Sequence, residues 1–157
     1  MKEGPVTNGS GTPTRVIPAF GRIYDPLIPY AYPLVRVVTG AMLIPHGWAK
    51  LISGSPAGLA QSLAKMGMEP AYALAVYVGV LELVGGAMLA AGLFTRVVAA
   101  QVIGFMAVAA FKVHWGAGFF WNKGGYEYPL FWGLMALAIL IQGGGRLSLD
   151  ARIGKEI

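Results

Sequence analysis

The sequence predicts an all-α polytopic membrane protein: an antiparallel, up-and-down bundle of four transmembrane helices, with a short interfacial helix after the first. Three observations predict it. The chain of 157 residues carries 12 Lys and Arg and 7 Asp and Glu, so 12% is charged, about half the ~25% usual for soluble domains. It is 56% hydrophobic and holds 23 glycines. The apolar residues gather into four segments of membrane-crossing length, separated by links rich in glycine, proline or aromatic residues. A soluble domain of this size must cover much of its surface with polar groups, and these charges are too few to do so. The composition also excludes a disordered chain and a coiled coil. With no cysteine, disulfides, thiol redox chemistry, Cys-ligated zinc and iron–sulfur clusters cannot reside on this chain. The formal net charge is +5, but there is no basic run. The cations collect at segment ends, which fits membrane topology and not nucleic-acid binding.

Residues 1–28 are rich in proline and glycine and lack an apolar stretch long enough for a signal-peptide core. They are expected to form an extended tail that lies on a surface or on a partner. The four-helix domain then occupies residues 29–146, with spans at about 30–52, 71–93, 96–115 and 127–142. Pro33 suits the start of the first span. Pro45 removes the hydrogen bond to the carbonyl of Ala41, which predicts a kink just before His46. Gly54, Ser55, Pro56 and Gly58 form a turn, and residues 57–67 read as an amphipathic interfacial helix with Leu59, Leu63 and Met66 on one face.

The second span follows Pro70, closes at Gly92 and contains one charge, Glu82. The link to the third span is very short, and Thr95 is placed to cap that helix. A glycine and aromatic loop covers residues 116–126. The fourth span has Pro129 in its first turn and ends at Gly143, Gly144 and Gly145. Residues 147–157 form a polar C-terminal tail in which Leu147, Leu149 and Ile153 are positioned to meet the membrane interface. Four spans put both termini on one side. Lys2, Arg15, Arg22, Arg96, Arg146, Arg152 and Lys155 share that side, against Lys50, Lys65, Lys112 and Lys123 on the other. The positive-inside rule then makes both termini cytoplasmic, in a prokaryotic cytoplasmic membrane.

An ionisable side chain at the centre of a span costs about 2.5–3.5 kcal/mol on insertion scales, so each needs a partner or a function. At about 100° per residue, Arg36, Thr39, Gly40, Leu43, His46, Gly47 and Lys50 fall on one face of the first span. Val37, Val38, Met42 and Ile44 fall on the other. Glu82 shares its stripe with Ala75, Val78, Gly79, Gly85, Gly86 and Leu89, small enough to let another helix approach. A cation of the first span is its natural partner, with a structural lock to Arg36 as one alternative. In the third span Lys112 shares a face with Gln101, Val108 and Trp115, and His114 points well away from it.

By depth, these residues outline a polar site in the outer half of the bundle, with Glu82 as its floor and His46, Lys50, Lys112 and Glu127 as its walls. His46 and Glu82 are the candidate catalytic residues. Arg36, Lys50, Lys112, His114 and Glu127 are the candidates for binding a substrate or quinone, and no metal site is expected. Lys50, Lys112 and Glu127 are also near enough to helix ends to snorkel. Trp48, Trp115, Trp121, Tyr126 and Tyr128 read as an aromatic belt.

The ordered set of Arg36 and Gly40, His46-Gly47, Lys50, Glu82 with Gly85-Gly86, Gly92-Leu93-Phe94-Thr95-Arg96, His114, Gly118-Phe119-Phe120, Gly124-Gly125, Glu127, the glycines 143–145 and Ser148-Leu149-Asp150 resembles the DoxX family of small four-helix membrane proteins. The resemblance covers about residues 34–150. It implies kinship with subunits of thiosulfate:quinone oxidoreductases, the DoxD-like proteins, and with proteins associated with membrane oxidoreductase complexes. The function expected from residues and resemblance together is a subunit of a membrane oxidoreductase, with a quinone or small-anion site in the outer half of the bundle. The alternative is a non-catalytic accessory or assembly subunit that packs on a larger membrane complex through its tail and helix faces. Lipid and other subunits are the expected partners. A b-type haem between His46 and His114 is disfavoured by the angular offset of His114. A small-anion transporter is disfavoured by the lack of an internal repeat.

Overall fold

A computed structural model describes residues 16–155. Among these residues all regular structure is helical. The N-terminal tail falls within this range only from residue 16 onward, and residues 1–15 and 156–157 lie outside the described residues. The elements are α1 (Gly21–Tyr24), α2 (Ile28–Leu51), α3 (Pro56–Lys65), α4 (Ala71–Ala91), α5 (Thr95–Ala117), α6 (Glu127–Gln142) and α7 (Leu149–Ile153). Helices α2, α4 and α5 are each long and apolar enough to cross a membrane. Helix α6 is apolar but has 16 residues, about 24 Å at 1.5 Å per residue.

Glycine sets the packing of α2 on α4. A Cβ at Gly40 would collide with the backbone of Gly86 and Ala90, and one at Gly47 with the backbone of Gly79 and Leu83. The two helices therefore meet backbone to backbone, the approach that small residues permit within a membrane. On the far side of α2, Val37, Val38 and Met42 are exposed. Helices α5 and α6 pair extensively, and Leu89, Val98, Val102, Met106, Ala136 and Ile139 form the centre of the apolar core. Helix α3 starts at Ser55, whose hydroxyl accepts from the Ala57 N–H at 3.2 Å. It lies on the start of α4, with Leu63 buried against Ala71 and Ala75.

The ends of the helices nearest the termini are fastened by polar groups. Arg36 is 2% exposed. Its guanidinium donates to the carbonyls of Gly144, Leu147 (2.8 Å) and Ala90 (3.3 Å), and the Tyr32 hydroxyl donates to the carbonyl of Gly143. A planar fork with five donors suits a cage of carbonyl groups that no single carboxylate fills. Gly92 (φ +73°) makes room for it, because a Cβ there would strike the guanidinium and Ser148.

Asp150 completes the clasp. Its carboxylate accepts from the N–H groups of Phe94 (2.8 Å) and Thr95 (3.0 Å) and from the Thr95 hydroxyl (2.6 Å). This corrects the expectation for Thr95. Phe94 occupies the N-cap position, in the left-handed region at φ 47°, and the Thr95 hydroxyl donates to Asp150 instead of capping the helix. The Asp150 side chain does the capping from 55 residues away in sequence. Burial alone pushes its carboxyl up. The hydrogen bonds from Thr95 and Phe94 and the charge of Arg36 outweigh that and hold it below the ordinary aspartate value. The segment after α6 is thus packed, with Ser148 and Asp150 both buried.

Candidate functional site

Two helices contain a π-helical turn, and both turns border the same space. In α4 the turn spans Leu81–Gly85 and includes Glu82. In α5 it spans Ala109–His114. Such a turn inserts one residue into the i→i+4 ladder. Everything beyond it swings by about 100°, one residue's worth of helical rotation.

Between these turns lies a cavity of about 280 Å³. Leu43, Phe105, Met106 and Val113 supply apolar wall, and His46, Lys50, Glu82, His114 and Tyr128 supply its polar groups. Helix α2 delivers His46 and Lys50 one turn apart, α4 delivers Glu82, α5 delivers His114, and the first turn of α6 delivers Tyr128. Leu59 and Leu63 of α3 close one side.

Lys50 Nζ and Glu82 Oε2 are 2.5 Å apart, with the lysine side chain 27% exposed and the glutamate 5%. Glu82 is therefore the buried member and Lys50 the one that reaches open space. The pair neutralises two charges at the site. The His46 ring lies 6.4 Å from that of Tyr128, and Tyr128 packs edge-on against Trp132 at 5.8 Å. His114 Nδ1 is 2.7 Å from the carbonyl of Gly124. A carbonyl only accepts, so Nδ1 carries the proton. Nε2 of the neutral ring is then the acceptor.

The structure brings His46, Lys50, Glu82 and His114 together and leaves three other candidate residues elsewhere. Lys112 is exposed and does not line the cavity. Glu127 accepts from the Trp121 N–H at 3.1 Å. It helps fasten the aromatic loop, where the Trp115 and Tyr126 rings stack at 4.7 Å. Arg36 sits in its carbonyl cage at the opposite end of α2. The partner of Glu82 is thus Lys50, not Arg36. Tyr128 joins the site although it reads in sequence as a belt residue. The signal that could have found it is the Tyr128–Trp132 pair, four residues apart on one helical face. Among the described residues, no three His, Cys, Asp or Glu side chains converge as a metal site would require.

The DoxX family profile matches residues 32–115. This chain belongs to the DoxX family. A protein of Haemophilus influenzae named only as uncharacterized is 34% identical over 131 residues, covering 82% of this chain and 94% of that protein. No solved structure matches. The DoxX match contains Arg36, His46, Lys50, Glu82, Lys112 and His114 and stops before Glu127 and Tyr128. The matched stretch thus holds Arg36 of the carbonyl cage and most of the cavity lining, while the cage carbonyls of Gly144 and Leu147 and the cavity's Tyr128 lie beyond it.

Proposed function

We propose that this DoxX protein is an integral subunit of a membrane oxidoreductase, and that its cavity receives the ring of a quinone. The observation that carries the reading is the cavity itself: apolar walls interrupted by His46, His114, Tyr128 and a neutralised Lys50–Glu82 pair. A quinone ring is flat and uncharged, and it needs hydrogen-bond partners at two carbonyl oxygens. A ring N–H of His46 and the Tyr128 hydroxyl can donate to them, and Lys50 and Glu82 form a proton-exchanging pair beside them. When bound, a quinone takes two electrons, here from a donor on a neighbouring subunit, and two protons to become the quinol.

The Lys50–Glu82 pair also weighs against a small-anion site, because the lysine charge is already spent on the carboxylate. A volume near 280 Å³ is at the small end of ligand pockets, which run from about 300 to 1,000 Å³. That suits a single ring better than a haem macrocycle.

In this reading α6 crosses the bilayer as the fourth helix, α3 lies at the outer interface, and both termini are cytoplasmic. The short length of α6 is accommodated by the aromatic loop at one end and the Gly143–Gly145 turn at the other.

The test is to isolate the complex gently in native lipid, extract and quantify its quinone, and compare His46→Ala. His46 is exposed to the cavity, so the substitution leaves the fold intact. The expected result is a tenfold or greater loss of quinone reduction together with loss of retained quinone. Unchanged retention and turnover would remove the residue on which the reading leans.

A further inference from the structure

We infer that the terminal end of the molecule carries a binding site for the headgroup of an anionic phospholipid, held between Arg146 and Arg152. A groove of about 280 Å³ lies there, lined by Ala91 at the end of α4 and by Arg146, Leu147, Ser148, Leu149 and Arg152 of the C-terminal segment. Both arginines are exposed. Arg36, by contrast, is buried and consumed by backbone carbonyls.

Among the described residues no carboxylate lines this groove, and the one nearest the two arginines in sequence is Asp150. It is buried, and its oxygens are occupied by Phe94 and Thr95. The groove therefore keeps its positive charge. Lys155 lines a neighbouring groove that shares Arg146 and that Asp150 also borders.

The apolar side chains decide which anion this is. Leu147 is 52% exposed, Leu149 36% and Ile153 60%, beside the arginines. They lie at the end of helices long and apolar enough to span a membrane. A free phosphate would gain nothing from them. A lipid places its phosphate on the guanidinium pair, which favours bidentate contact with phosphate oxygens, and lays its acyl chains on the leucines. The Asp150 clasp fixes the segment that presents both arginines, so the site is built before the lipid arrives. This assignment is independent of the quinone reading and lies at the opposite end of the molecule.

The test uses the full chain in neutral detergent, titrated separately with dioctanoyl phosphatidylglycerol, dioctanoyl phosphatidylcholine and inorganic phosphate, and reads the rise in unfolding temperature. Phosphatidylglycerol is expected to stabilise saturably, and the other two are not. Each juxtamembrane cation contributes about fivefold in affinity for an anionic surface. Arg146→Gln with Arg152→Gln should therefore raise the half-saturating concentration at least tenfold without changing the lipid-free unfolding temperature. Arg146→Lys with Arg152→Lys should keep the preference for the anionic lipid. If the double Gln variant does not fold, each single Gln variant carries the test at about fivefold. Equal stabilisation by phosphatidylcholine overturns the proposal, as does equal stabilisation by inorganic phosphate. An unchanged titration in the Gln variants overturns it as well.

Discussion

Breaking the Lys50–Glu82 pair from its two sides should give unequal results. The two nitrogen and oxygen atoms are 2.5 Å apart, but the partners differ in burial, 27% exposed for the lysine and 5% for the glutamate. Lys50→Met strands Glu82 in an apolar surround, and removing one partner of a buried ion pair costs about 3–5 kcal/mol. Glu82→Gln leaves Lys50, whose ammonium already reaches the open side of the cavity. There the loss is limited to a charge-assisted hydrogen bond, about 1.5–3 kcal/mol, part of which water returns. The double variant leaves no stranded charge and should cost about 1–2 kcal/mol. The coupling energy of the cycle is then about 3–6 kcal/mol, well above the ~0.5 kcal/mol within which independent sites add. The assay is reversible unfolding in mixed micelles of a neutral and a denaturing detergent, on the wild type, both single variants and the double. Additive costs would refute the pairing. A larger cost for Glu82→Gln than for Lys50→Met would refute the assignment of Glu82 as the buried member.

Three further outcomes follow from the same structure. Asp150→Asn should lower stability by about 2–4 kcal/mol, through weaker acceptance from three donors. Because the folded carboxyl lies below its ordinary value of 3.8, its stabilisation is complete at neutral pH. It is lost as pH falls below about 4, so the gap between wild type and variant should close on acidification in a pH series of unfolding temperatures. Gly40→Ala should destabilise by about 1–3 kcal/mol, since the new methyl meets α4 backbone. Gly104→Ala, where nothing lies within 4 Å, should be neutral or gain up to about 1 kcal/mol. The chain has no cysteine, so single cysteines at Ser53 and Ser10 can be labelled cleanly in intact cells. An impermeant maleimide should modify the first and spare the second. Labelling at both positions would overturn the topology of cytoplasmic termini.

Much of the fold could be read from periodicity because α2 is a regular helix. Of the face read at 100° per residue, Arg36, Thr39, Gly40, Leu43 and Gly47 are buried, while His46 is exposed and Lys50 half-buried where they border the cavity. Of the Glu82 stripe, Ala75, Gly79, Gly85, Gly86 and Leu89 are buried as well, and Val78 is half-buried. What could not be read came from two physical sources. Ending a helix with a side chain 55 residues away, as Asp150 does for α5, leaves no local trace. Thr95 had the right chemistry for a cap and was the natural local choice.

The second source is the π turn, which breaks the assumption on which every helical wheel rests. At 100° per residue His114 points well away from Lys112, the offset that disfavours a haem shared with His46, and lies about 110° from the middle of the face that Met106 and Ala109 form. The turn over Ala109–His114 takes out about 100° of the discrepancy and returns His114 to the cavity beside them. The second π turn holds Glu82 at the same cavity from the other side. A π turn gives up regular hydrogen-bond geometry, a cost that is severe where no water can compensate. Two such turns face one cavity from neighbouring helices, and each contains an ionisable residue that lines it. An ordinary α-helix through Ala109–His114 would turn His114 toward a different surface, whereas Glu82, second in its turn, keeps the face it shares with Ala75 and Gly79. The turn at Ala109–His114 is what brings His114 to the cavity that His46 also lines.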